Sequence, residues 1–194
     1  MEIVRWAKSK GWQVTAEVTP HHLLLTDDLA VDYDTVFKVN PPLRTRADVD
    51  ALRQGLADGT IDCVATDHAP HPVEAKETEW AAAANGMTGL ETALRVVQAA
   101  MVDTGLLTWA GVADRMSRRP AAIGRVRGHG QPLAPGSAAN LTLYDPAAPA
   151  EAVDPATQAS KSRNSPFAGM ALPGRVHATF LRGTPTVLDG KVTR

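Results

Sequence analysis

The chain has 194 residues, 44% of them hydrophobic and 21% charged, a balance that fits one or two folded domains and excludes a disordered polymer. Lys and Arg number 20 against 21 Asp and Glu, so a formal charge of −1 gives neither nucleic acid nor an anionic membrane an electrostatic hold, and a small molecule is the expected ligand. The single cysteine, Cys63, excludes an internal disulfide framework; no apolar run nears the roughly 18 residues of a membrane span, and a cytoplasmic protein is expected.

Taken in chain order, Ile3, Ala7 and Lys10 recur at helical spacing, so the spacing predicts a helix over 2–10 ending at Gly11. Residues 13–18 read as a strand and 36–39 as a second, with a turn-rich loop between them. In 47–57, Val49, Leu52 and Leu56 make one apolar helical face, closed by Gly59, and a third strand is expected over 61–66. A polar connection, 72–86, should carry a helical turn near its end and could serve as a lid. Leu90, Leu94, Val97 and Met101 mark a longer helix, and Val112 and Met116 another over 108–117, with Pro120 as a boundary. From about 126 the texture turns to Gly, Pro and short strands, at 140–144, at 175–181 and in a closing hairpin around Asp189-Gly190, with 147–159 read as a surface loop. The chain therefore divides into an α/β part over 1–125 and a mainly small β-rich part over 126–194.

Alternation of strand and helix implies parallel units whose chemistry gathers at the strands' C-terminal ends. His21, His22, Asn40 and the cluster Asp67 to His71 all fall just after the three expected strands. Asp67 could ligate a metal, accept a proton from a metal-activated water, or cap the next turn. His71, four residues on and beyond Pro70, can return to the side of Asp67, whereas His68 must point elsewhere. Adjacent histidines diverge, so one of His21 and His22 is expected to pack and not to ligate. Prolines 41 and 42 hold Asn40 so that its amide projects as donor and acceptor toward a cyclic amide, and an Asn-Pro turn explains the same residues equally well. Cys63, mid-strand, reads as a buried small hydrophobe, and His129 and His177 carry no assigned chemistry.

The motifs EVTPHHLLLTDD, KVNPPLR, DCVATDHAPH, GMTGLETAL, LAPGSAANLTLYDP and SKSRNSPFAGMALPGRV resemble, in the same order, those of bacterial dihydroorotases in the amidohydrolase superfamily. The resemblance covers nearly the whole chain, and DHAPH is its most specific part, because hydantoinases and allantoinases tend to differ at the position of His71. It implies a (β/α)8 barrel with a small β-sandwich beside it, of which this chain is the C-terminal part with about three barrel strands. The implied reaction is the reversible cyclisation of N-carbamoyl-L-aspartate to L-dihydroorotate in pyrimidine synthesis, with zinc as cofactor. By the resemblance, Asp67 is both metal ligand and general base, and His71 binds the substrate carboxylate. Asn40 binds the substrate, and the backbone at Asn85-Gly86 meets the ring, although the family commonly has an aromatic residue where Asn85 stands. The His-x-His pair, the bridging ligand and two further histidines are expected before residue 1, so the chain alone is expected to be an inactive fragment. A second copy of the chain or aspartate carbamoyltransferase is the implied protein partner. The alternatives are a non-catalytic partner of that transferase, or another cyclic amidase such as a hydantoinase or allantoinase.

Overall fold

A computed structural model, described for residues 1–193, begins with helix α1, Glu2–Ser9, and turns at Gly11, where φ is +76°. Strand β1, Glu17–Val18, runs into helix α2, Pro20–Leu24, capped by the Thr19 hydroxyl, which accepts the His22 N–H. Helix α3, Arg46–Asp58, has the reciprocal Thr45–Asp48 capping box and ends, as expected, at Gly59 with φ +86°. Strand β2, Cys63–Val64, then pairs in parallel with β1, Glu17 facing Cys63 and Val18 facing Val64.

The strands expected over 13–18 and 61–66 thus shrink to two-residue ladders. A barrel strand is held from both sides, whereas β1 and β2 have only each other among the described residues, and Gln13, Val14 and Thr15 stay exposed. Beneath the pair, Val18, Leu23, Leu56, Ile61, Val64, Val97 and Met101 form one buried cluster. The strand expected over 36–39 does not form. Thr35–Phe37 is a 3-10 turn started by the Asp34 carboxylate, which accepts the Val36 N–H at 2.9 Å, and the Lys38 carbonyl takes the Gly86 N–H at 2.9 Å. Asp-turn chemistry here outweighs the β-preference of Val36 and Phe37. Two barrel strands are therefore present among the described residues, where about three were expected.

Helix α4, Val73–Lys76, lies at the start of the 72–86 connection and not near its end. Helix α5, Ala93–Val97, passes into a π turn at Gln98–Val102, and Leu90, expected on its face, precedes it at 60% exposure. Helix α6, Trp109–Ala113, continues through a π turn at Asp114–Arg118 into α7, Arg119–Ile123. Pro120 consequently ends nothing. It follows a π turn in which the Arg119 N–H reaches back to the Asp114 carbonyl, and the helix runs on past it to Ile123.

Strands β3, Leu141–Asp145, β6, Arg175–Leu181, β7, Thr184–Leu188, and β8, Lys191–Val192, form an antiparallel sheet in that order. Asp189 and Gly190, both at positive φ, make the β7–β8 turn, as the dipeptide implied. Residues 147–159 are not simply a surface loop, because β4, Glu151–Ala152, pairs with β5, Ala171–Leu172. Val153, Phe167 and Leu172 pack into a second buried cluster with Leu25, Val39, Leu43, Met87 and Val96. The segment between β4 and β5 is in this way pinned over the α/β part, which brings Asn164 to the residues that follow β2. No helix among the described residues is long and apolar enough to cross a membrane.

Candidate active site

The β1–β2 register sets the geometry. Val18 faces Val64, so His21 and Asp67 each stand three residues beyond a paired position, at the same end of adjacent parallel strands. Asp67 has φ of 46°, a left-handed conformation tolerated by Asp but uncommon outside glycine, and it turns the chain sharply after β2. Its side chain is exposed, and among the described residues no backbone N–H is bonded to the carboxylate, which sets aside the capping reading.

The two adjacent histidines separate by role. His22 is the packed one: its Nδ1 lies 2.7 Å from Thr19 Oγ1, and its Nε2 lies 3.2 and 3.1 Å from the carbonyls of Pro41 and Pro42. Because those carbonyls only accept, Nε2 carries the proton and donates, tying Asn40-Pro41-Pro42 to α2. Asn40 itself is exposed. His21 is buried to 1% exposure, and its Nε2 has no partner. Burial, with His22 adding, pushes its imidazole down to about 3, so the ring is neutral at ordinary pH. A neutral imidazole with an orphaned nitrogen is the form that binds a metal, since a buried polar atom left unpaired is otherwise costly. His21 is thus a candidate nitrogen donor within the chain, beside the metal-binding histidines expected before residue 1. His21 and Asp67 fit a zinc ion as two donors, one nitrogen and one oxygen. Among the described residues no group of three or more His, Cys, Asp or Glu could hold a metal.

His71, Asn85 and Gly86 come together. His71 Nε2 donates to the Asn85 carbonyl at 2.9 Å, and the His71 N–H donates to Asn164 Oδ1 at 3.2 Å. Gly86 has φ of +133°, and a Cβ there would meet Ala69 Cβ at 2.5 Å and His71 Nε2 at 2.9 Å. Only glycine lets the 85–87 backbone approach the histidine this closely. The Gly86 N–H is bonded to Lys38 and its carbonyl accepts from Asn164 and Lys76, so Gly86 holds the loop while Asn85 faces outward. His68 does point elsewhere: its Nδ1 accepts the N–H groups of Gly89 and Leu90 at 3.0 and 3.3 Å, ahead of α5.

Sequence reasoning gave Asn164 no role, although it lies in the SKSRNSP motif. It is buried, and its amide donates to Ala69 O at 2.9 Å and Gly86 O at 3.2 Å while accepting from His71 N. The only signal was an Asn ahead of Ser-Pro in a coil, which gives no hint of partners more than 75 positions away. Replacing Asn164 by Ala leaves the His71 N–H and the Ala69 carbonyl unpaired and is expected to cost roughly 2–4 kcal/mol, read as a lowered urea midpoint at unchanged slope.

No protein-family model matches the chain. It is 68% identical over 193 residues to a dihydroorotase of Streptomyces coelicolor, covering 100% of the chain and 45% of that protein. To a dihydroorotase of Mycobacterium tuberculosis it is 55% identical over 192 residues, covering 99% of the chain and 44% of the relative. Along its whole length the chain is similar to dihydroorotases. It spans less than half the length of these dihydroorotases and corresponds to their C-terminal portion. Among solved structures, an L-hydantoinase from Arthrobacter aurescens superposes with a TM-score of 0.90 at 34% identity, over 100% of the chain and 43% of that protein. A D-hydantoinase from Thermus sp. superposes with a TM-score of 0.89 at 28% identity, over 99% and 43%. The architecture of the chain is accordingly part of an amidohydrolase barrel with a small sheet domain.

Proposed function

We propose that the polypeptide carrying this chain is a zinc-dependent dihydroorotase, opening the ring of dihydroorotate to N-carbamoyl-aspartate and closing it in reverse. The observation that carries the reading is the placement of His71 against Asn85 and Gly86, just beyond an uncapped Asp67 carboxylate at a strand end. The identity of 68% to a dihydroorotase, against 34% to an L-hydantoinase, supports this substrate over a hydantoin.

Zinc, when bound, would supply Lewis acidity that lowers the pKa of the attacking water and polarises the ring carbonyl. His21 Nε2 and the Asp67 carboxylate would be its donors within this chain. In hydrolysis the Asp67 carboxylate takes the proton from water as the oxygen adds to the ring amide carbon. It returns that proton to the ring nitrogen as the carbon–nitrogen bond breaks, and cyclisation runs the same transfers backward. His71 meets the substrate's carboxylate. Its Nε2–H is accepted by the Asn85 carbonyl, which fixes the ring plane at the loop where that anion would be received. Asn40, on a segment fixed by His22, offers its amide to the ring, and Asn85 lines the opposite contact.

A direct assay tests the reading. The complete polypeptide is expected to consume dihydroorotate, to lose activity to a zinc chelator and to regain it with zinc. The 194-residue chain by itself is expected to be inactive, because two donors hold zinc weakly. A complete protein that turns over hydantoin but not dihydroorotate overturns the reading in favour of a general cyclic amidase.

A further inference from the structure

The 77–86 segment has only one short helix at its entry, yet it ends in the Asn85-Gly86 pair that contacts His71. Two lysine ammonium groups organise it. Lys38 Nζ donates to the carbonyls of Trp80, Ala81 and Ala83 at 2.5, 3.2 and 2.6 Å. Lys76 is buried to 6% exposure, and its Nζ donates to Lys38 O, Ala84 O and Gly86 O at 3.3, 2.9 and 3.0 Å. Thr35 Oγ1 donates to the Lys76 carbonyl, so the backbone of Lys76 is also held. No carboxylate is hydrogen-bonded to the Lys76 ammonium; burial, with Lys38 adding, pushes its pKa below the usual lysine range.

A buried ammonium with three carbonyl partners and no hydrogen-bonded carboxylate, Asp34 acting on it only through space, is an expensive way to stabilise a loop, since desolvating a charge costs more than desolvating an amide. What the charge does locally is draw carbonyl oxygens from three separate points of the chain onto one centre. Two of those points, Ala84 and Gly86, flank Asn85. The third, Lys38, is also the acceptor for the Gly86 N–H.

We propose that Lys76 is a positioning residue for substrate binding, its ammonium fixing the backbone on both sides of Asn85 so that this residue and His71 stand at a set separation. The proposal rests on the reading of Asn85 and His71 as substrate contacts. Lys76 touches neither substrate nor metal, and it acts through the loop. Losing Lys76 leaves Gly86 held by Asn164 and Lys38, so the loop loosens without detaching.

The test uses the complete polypeptide with Lys76→Met, which keeps length and apolar bulk without a donor, and Lys76→Ala. Lys76→Met is expected to raise KM for dihydroorotate roughly ten- to a hundredfold with a smaller change in kcat, because misplacing a contact by about 1 Å costs up to about 10²-fold. Amide exchange across residues 80–87 should accelerate while α3 and the β3–β6 pair stay protected. In Lys76→Ala, added propylammonium should restore KM where propanol does not. An unchanged KM in a folded Lys76→Met protein overturns the proposal, and so does rescue by propanol, which would mean that the ammonium charge is not needed. If the unsubstituted protein fails to turn over dihydroorotate, the reading of the function falls instead. The exchange measurement still decides whether Lys76 holds the loop, since unchanged exchange in Lys76→Met overturns the positioning role in either case.

Discussion

In the complete polypeptide, Asp67→Asn is expected to lower kcat by roughly 10²–10⁴-fold, the usual contribution of a general base, while the fold survives. The amide nearly matches the carboxylate in shape but cannot accept and return a proton, and it is a poorer metal ligand. Its exposure and its freedom from backbone hydrogen bonds mean that little of the fold depends on its charge. Circular dichroism and the urea midpoint should therefore stay close to those of the unsubstituted protein. A variant retaining more than about a tenth of the rate would be too active for a lost general base and would sink the assignment.

The second large effect is expected at His71, where the role is recognition. His71→Ala should lower kcat/KM for dihydroorotate by roughly ten- to a hundredfold, equivalent to about 1.5–3 kcal/mol for a hydrogen bond to a charged group. Part of that loss could arise from the loop, because His71 also holds the Asn85 carbonyl. Dihydrouracil, which lacks the carboxylate, separates the two contributions. Loosening of the loop should affect both substrates, whereas loss of the carboxylate contact should affect dihydroorotate alone, so the variant should lose most of the preference for dihydroorotate. Equal losses on both substrates would assign His71 to the fold.

Local chemistry carried much of this protein's design in a readable form. Gly59 marks the end of α3 because a cap involves neighbours within a few residues, and Asp189-Gly190 specifies a turn for the same reason. The ordered motifs around Asp67, His71 and Asn40 likewise carry the likeness to dihydroorotases in local sequence. Strand lengths were less legible, since a parallel strand is defined by its partners. Residues 13–15 and 36–39 have the right composition but no ladder among the described residues.

What the tertiary structure alone decided was which side chains meet across long separations. Burial distinguished His21, with an orphaned Nε2, from His22, bonded to the prolines 41 and 42, though the two are adjacent and chemically identical in sequence. The packing of Val153, Phe167 and Leu172 onto the α/β part carried Asn164 to the Gly86 carbonyl, where Lys76 arrives from α4. Hydrogen-bond partners of this kind depend on how elements pack, and composition and periodicity report only which face of each element is apolar.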